Sequence, residues 1–237
     1  MRKKLLPLLL LLLGLAANAQ QPTPAEWRAG EIVNRSQIND QNLDDYFCAL
    51  PISDDIFARI WQKSFKADCT TPREDLRYLR VLHANKDGLP QRGELICNKA
   101  IAADLLAIFR QLYTAGYRIE KMLLVDNYNA DDEASMADNN TSCFNFRRIA
   151  GSKTLSYHSR GLAIDINPLT NPCLYPRTGK VSPANGKRFA FNRTNRKKQA
   201  LRFIDTNDLC YKLFTERGFT WGGSWSSPKD FQHFEKR

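Results

Sequence analysis

How this chain folds turns on Ser156-Tyr157-His158-Ser159-Arg160-Gly161-Leu162-Ala163-Ile164-Asp165-Ile166. Leu162, Ile164 and Ile166 alternate with Ala163 and Asp165, the period of two that marks a β-strand with one apolar face. On such a strand the aliphatics face a core, and Ala163 and Asp165 share the other side. Gly161 gives the backbone room for a tight turn, so His158 is expected to fold back towards Asp165. A histidine beside an aspartate is ordinarily a surface or core pair, and this segment alone defines no chemistry.

The complement lies near the C-terminus. Trp221-Gly222-Gly223-Ser224-Trp225 is followed by Asp230-Phe231-Gln232-His233-Phe234-Glu235, with an acid three residues ahead of the histidine. Together the two segments offer two imidazoles and a carboxylate, with a second carboxylate left over. Hydrolytic zinc needs three protein ligands and an open fourth position for water, with a carboxylate nearby to accept that water's proton. His158, Asp165 and His233 are the candidate metal ligands, and Asp230 is the candidate base. Glu235 would share a strand face with His233 and could orient its ring. Trp221 and Trp225 are candidates for either the cleft wall or the core. His83, the third histidine, follows an apolar run and is expected to be structural.

Around these motifs the pattern is mixed. Leu76 to Leu82 alternates as a strand would. Asn98 is a suitable N-cap and Gly116 a suitable stop for a helix carrying Ile101, Leu105, Ile108, Phe109 and Leu112 at helical spacing. Met122 to Val125 is expected to be a buried strand, Asn127 to Arg148 a long loop, and Pro168 to Asn195 irregular. A second helix is expected over Asp208 to Arg217, ending at Gly218, and a final strand within Phe219 to Phe234. Short strands with two main helices indicate an α+β domain.

At the other end, Arg2, Lys3 and Lys4 precede the apolar run Leu5 to Ala16 and then Ala17-Asn18-Ala19. That is the grammar of a secretory signal over residues 1–19, with cleavage before Gln20, and the run is short of the ~20 residues a membrane span needs. The expected compartment is therefore secreted or periplasmic, with no membrane span after cleavage. Residues 20–68 are expected to be an extension of unknown role, and residues 69–237 the main domain. Without the three signal charges the formal net charge falls from +10 to +7. The basic residues are scattered and lack the aromatic interleaving of nucleic-acid binders, so a solvated basic surface is expected. The six cysteines permit disulfides in an exported chain, although Cys97 and Cys210 sit in apolar settings that suit free thiols.

Ser-x-His-x-x-Gly-x-Ala-x-Asp followed by Trp-Gly-Gly-x-Trp and Asp-x-x-His-Phe-Glu resembles the VanY-type D-alanyl-D-alanine carboxypeptidase family. That family includes L-alanyl-D-glutamate endopeptidases and shares the hedgehog/DD-peptidase fold, a small antiparallel sheet with flanking helices. The resemblance covers about Leu76 to Arg237. It implies one zinc ion on His158, Asp165 and His233, with Asp230 as general base where some relatives have Glu. It also implies a peptidoglycan stem peptide as substrate. An arginine upstream of the first motif orients and polarises substrate in the family, which makes Arg147 the candidate, ahead of Arg148 and Arg160. Ser156 is a candidate substrate contact or a plain turn residue. The competing expectation is a catalytically silent wall-binding or signalling module on the same fold; a secreted peptidase for other substrates is a third.

Overall fold

The computed structural model describes residues 27–191, 193 and 203–237. The signal-like segment lies outside the described residues. Three short antiparallel sheets and a few helices make up the molecule, the α+β architecture expected. In the first sheet β1 (Cys48–Pro51) pairs with β2 (Leu76–Ala84), and β2 with β3 (Pro90–Asn98). A helix, α1 (Asp54–Ile60), lies between β1 and β2 in sequence, capped by the Ser53 hydroxyl. Helix α2 (Lys99–Thr114) begins where the Asn98 side chain accepts from the Ala100 N–H and ends before Gly116, whose φ of +65° only glycine adopts readily. Its stripe of Ile101, Leu105, Ile108, Phe109 and Leu112 is buried against Leu79, Val81 and Leu95 in the main core.

Beyond α2 come α3 (Asp132–Ala137), then β4 (Ala163–Asp165), β5 (Cys173–Tyr175), β6 (Lys180–Ser182) and α4 (Lys187–Phe191). The chain closes with α5 (Leu209–Glu216), β7 (Thr220–Trp221), β8 (Lys229–Asp230) and β9 (His233–Glu235). The second sheet has the order β4-β9-β7 and the third β6-β5-β8. The Asp208 side chain caps α5 by accepting from the Cys210 N–H at 2.9 Å. Phe214 of α5 stacks on Phe234 of β9 with ring centroids 4.4 Å apart. That contact seats the apolar side of β9 on the core and turns His233 and Glu235 the other way.

Three expectations are corrected. Met122 to Leu124 joins no ladder and Val125 opens a 3-10 turn (Val125–Tyr128): the Met122 carbonyl accepts a single bond from the Glu94 N–H of β3 at 2.9 Å, and the Asn140 side chain accepts from the Leu123 N–H and donates to the Leu123 carbonyl, at 2.8 and 2.9 Å. The polar run after Asn127 holds α3, because Asp131 caps it and Asp132 and Glu133 form its first turn, where acids favour a helix. Within the span expected to be irregular, β5 and β6 form a hairpin turning at Gly179 and pairing with β8. Part of that span, Asn192 and residues 194–195, lies outside the described residues.

The described residues ahead of 69, from 27 on, pack into the same body. β1 is an edge strand of the first sheet, and Ile52, Ile56, Ile60 and Phe65 share a core with Tyr78, Ile96 and Phe144. Arg59 of α1 makes a two-pronged contact with the buried Glu94 carboxylate, at 2.9 and 2.5 Å, while the Tyr78 hydroxyl donates to the same carboxylate at 2.7 Å. All six cysteines are free thiols, with Cys97, Cys143, Cys173 and Cys210 buried. No helix among the described residues is long and apolar enough to cross a membrane.

Candidate metal centre

Strand register builds the centre. In the β4–β9 ladder Asp165 lies opposite His233 and Ala163 opposite Glu235, with Ile164 opposite Phe234 between them. Because side chains alternate, the two acids and His233 share one face while Ile164 and Phe234 fill the core on the other. Ala163 is the small residue that leaves room on the polar face. His158 arrives from a 3-10 turn, Tyr157–Arg160, capped by Ser156 and ended by Gly161 at φ +66°. The Gly161 requirement differs from the one expected. A β-carbon there would sit 2.6 Å from the Asn98 nitrogen, so glycine allows the turn to press on the end of β3, to which it is bonded through Asn98 N–H to Gly161 O at 2.8 Å.

His158, Asp165 and His233 are all buried, and one ligand atom from each lies within 4.8 Å of the others. The separations are 3.2 Å from His158 Nε2 to Asp165 Oδ2, 3.1 Å from His233 Nδ1 to Asp165 Oδ1, and 3.3 Å between the two ring nitrogens. Tetrahedral zinc with bonds of about 2.0–2.1 Å separates its ligands by about 3.3 Å. The donor set and its spacing are of the kind zinc takes, with the two rings facing different oxygens of Asp165. The remaining ring nitrogens are also held. His158 Nδ1 lies 2.6 Å from the Cys143 carbonyl, to which it donates, and His233 Nε2 lies 3.2 Å from Glu235 Oε2. Such outer contacts fix the tautomer and aim the ligating nitrogen. Arg237 in turn contacts Glu235 at 3.2 Å.

Electrostatics follow from this packing. Burial alone would raise the Asp165 carboxyl, but His158 and His233 hold it well below the usual carboxylate range. Burial would lower His233, yet its contacts with Asp165 and Glu235 and the nearby charges raise it to about 10. In the metal-free protein that ring carries a proton at neutral pH, which an incoming cation must displace, so acid opposes metal binding.

The centre opens into a cleft of about 280 Å³ lined by Arg147, Ser156, Tyr175, Trp225 and Asp230 among others. Asp230 is part-buried; its Oδ1 is buried with no hydrogen-bond partner, and burial with the Asp165 charge raises its carboxyl to about 6 against the pull of His233. The Gly-Gly pair explains how it gets there. A β-carbon on Gly222 would lie 2.7 Å from Asp230 O, 2.8 Å from Asp230 Cβ and 3.2 Å from His233 Cβ. Trp225 lines the cleft with its ring 5.2 Å from that of His233, whereas Trp221 belongs to the core and donates to the Phe231 carbonyl at 2.9 Å.

Arg147 also lines the cleft, while Arg148 and Arg160 are exposed and do not. Ser156 lines it too, besides capping the turn through the His158 N–H at 3.3 Å. His83 is buried elsewhere, 2.7 Å from the Ile119 carbonyl, and burial lowers it to about 4. Among the lining residues that escape a sequence reading are Asp132, Cys173 and Tyr175. Cys173 sits opposite Asp230 in the β5–β8 ladder, where burial and the neighbouring acids hold its thiol protonated. Only the pairing of three distant strands brings it there.

Residues 150–236 match the family model described as D-alanyl-D-alanine carboxypeptidase. Over this stretch the chain is similar to that family. The match spans His158, Asp165, Asp230 and His233, and agrees with the VanY-type resemblance carried by the two motifs. No curated protein and no solved structure matches the chain. The likeness to D-alanyl-D-alanine carboxypeptidases thus covers the part of the chain that holds the buried His158–Asp165–His233 cluster, a group that could hold a metal ion.

Proposed function

We propose that this peptidase is an exported zinc hydrolase that cuts a peptide bond in the stem peptides of peptidoglycan. The observation that carries the zinc assignment is the β4–β9 register, which opposes Asp165 to His233 and closes a triangle with His158. Zinc held by these three side chains would supply a Lewis acid and lower the pKa of water to about 7. The chain's own groups account for the proton traffic. Asp230 accepts the proton of the attacking water on its unpartnered Oδ1 and returns it to the departing amine. Arg147 grips or polarises a substrate oxygen with its guanidinium. Trp225 and Tyr175 wall the cleft and limit water around the scissile bond. Export is supported by the basic, apolar and Ala-x-Ala order of residues 1–19.

Purified peptidoglycan or synthetic stem peptides, incubated with the zinc-loaded protein and read by mass spectrometry, test the proposal. Loss of a defined mass, abolished by chelator and restored by zinc, is expected. Cleavage that continues after zinc is fully removed would end the mechanism.

A further inference from the structure

Two acids at the start of α3 stand outside the zinc chemistry yet reach both sides of the cleft. Asp132 lines it, and its Oδ2 accepts from Arg147 Nη2 at 2.7 Å. Glu133 turns to the other side, accepting from the Ser182 hydroxyl at 2.8 Å and from the Ala184 N–H at 2.7 Å. At the far end of α3, Asn185 donates to the Ala137 carbonyl at 3.0 Å. The short helix therefore ties the segment carrying Arg147 to the turn carrying Ser182, and Ser182 and Met136 line the same cleft. The Arg147 main chain is clamped as well: its N–H donates to the Ser159 hydroxyl at 2.9 Å, and its carbonyl accepts from that hydroxyl at 2.5 Å. Its Nε is buried and has no hydrogen-bond partner.

We infer that Asp132 is a positioning residue that sets Arg147 as the receptor for one carboxylate of the peptide substrate, with Glu133 holding the facing turn. The inference rests on the peptidase function proposed above. An arginine side chain has many rotamers, and gripping a ligand costs it that freedom. Asp132 fixes the guanidinium beforehand through a single contact at Nη2. The Nε–H is left as a buried donor in need of an acceptor, which a carboxylate oxygen supplies in a charge-assisted bond. The alternative, that Asp132 only neutralises Arg147, carries the opposite sign: its removal would then strengthen carboxylate binding.

The test uses the zinc-loaded full chain and three probes: a synthetic stem pentapeptide, its C-terminal amide, and the same peptide amidated at its acidic side chain. Asp132→Ala is expected to raise KM for the free acid roughly tenfold while kcat changes far less. Asp132→Glu should recover most of the loss, and zinc content should be unchanged in both. The amide that abolishes the difference identifies which carboxylate Arg147 receives. An unchanged or lowered KM in Asp132→Ala overturns the inference. Direct binding of the three peptides is measured in parallel. If the wild-type protein hydrolyses none of them the proposed function fails, whereas wild-type affinities indifferent to both amidations overturn the role of Asp132.

Discussion

Asp230 carries two opposed demands. Burial of its Oδ1 side raises the carboxyl from 3.8 to about 6, so the folded protein holds a proton that the unfolded chain releases between those values. Stability contributed by this group is therefore present at low pH and lost as pH rises towards 6. Catalysis by Asp230 as the proposed base needs the reverse, since a base must be ionised, and turnover should fall in acid, at a pH below 6 because a bound cation would lower the carboxyl. Asp230→Asn separates the two. It is expected to lower kcat by about 10²–10⁴-fold with zinc still bound, and to raise the melting temperature of the metal-free protein above pH 6 while leaving it near wild type at pH 4. A variant that keeps full function would instead favour a silent binding module.

The turn between β7 and β8 sets the distance between that base and the metal ligands. Gly222 meets backbone and β-carbon atoms of Asp230 and His233, none of which can swing aside. Gly222→Ala should therefore displace β8 from β9, weakening zinc affinity about 10–100-fold and costing about 1–3 kcal/mol of stability, measured by metal titration and urea unfolding. Local elements of this kind were well marked in the sequence. Asn98 and Gly116 bound α2, Asp208 caps α5, and the alternation at 162–166 is a strand. Elements that depend on distant partners were not. The β5–β6 hairpin borrows β8, and the Met122 segment takes its bonds from an asparagine side chain. The cluster of His158, Asp165 and His233 was legible because histidines are scarce in this chain and the two motifs are regularly spaced. Asp132 was not, since an acid in a polar run gives no sign of the arginine it meets.

Part of the chain between residues 27 and 68 backs the cleft. The Ser64 carbonyl accepts from the Phe146 N–H at 2.9 Å, next to Arg147, and the Ser64 N–H and hydroxyl donate to the buried Asp126. The Arg59–Glu94 contact fastens α1 to the first sheet. Arg59→Ala leaves Glu94 short of its cation and should cost about 2 kcal/mol in denaturant unfolding, the worth of hydrogen bonds to a charged group, with kcat little affected. Asp165 and His233 stand 68 positions apart yet face each other across one ladder. The intervening chain thus departs from and returns to a single point, like a bag gathered at its drawstring. Substitutions, lengthening or exchange within that bag can remodel the cleft while the knot of His158, Asp165 and His233 stays tied.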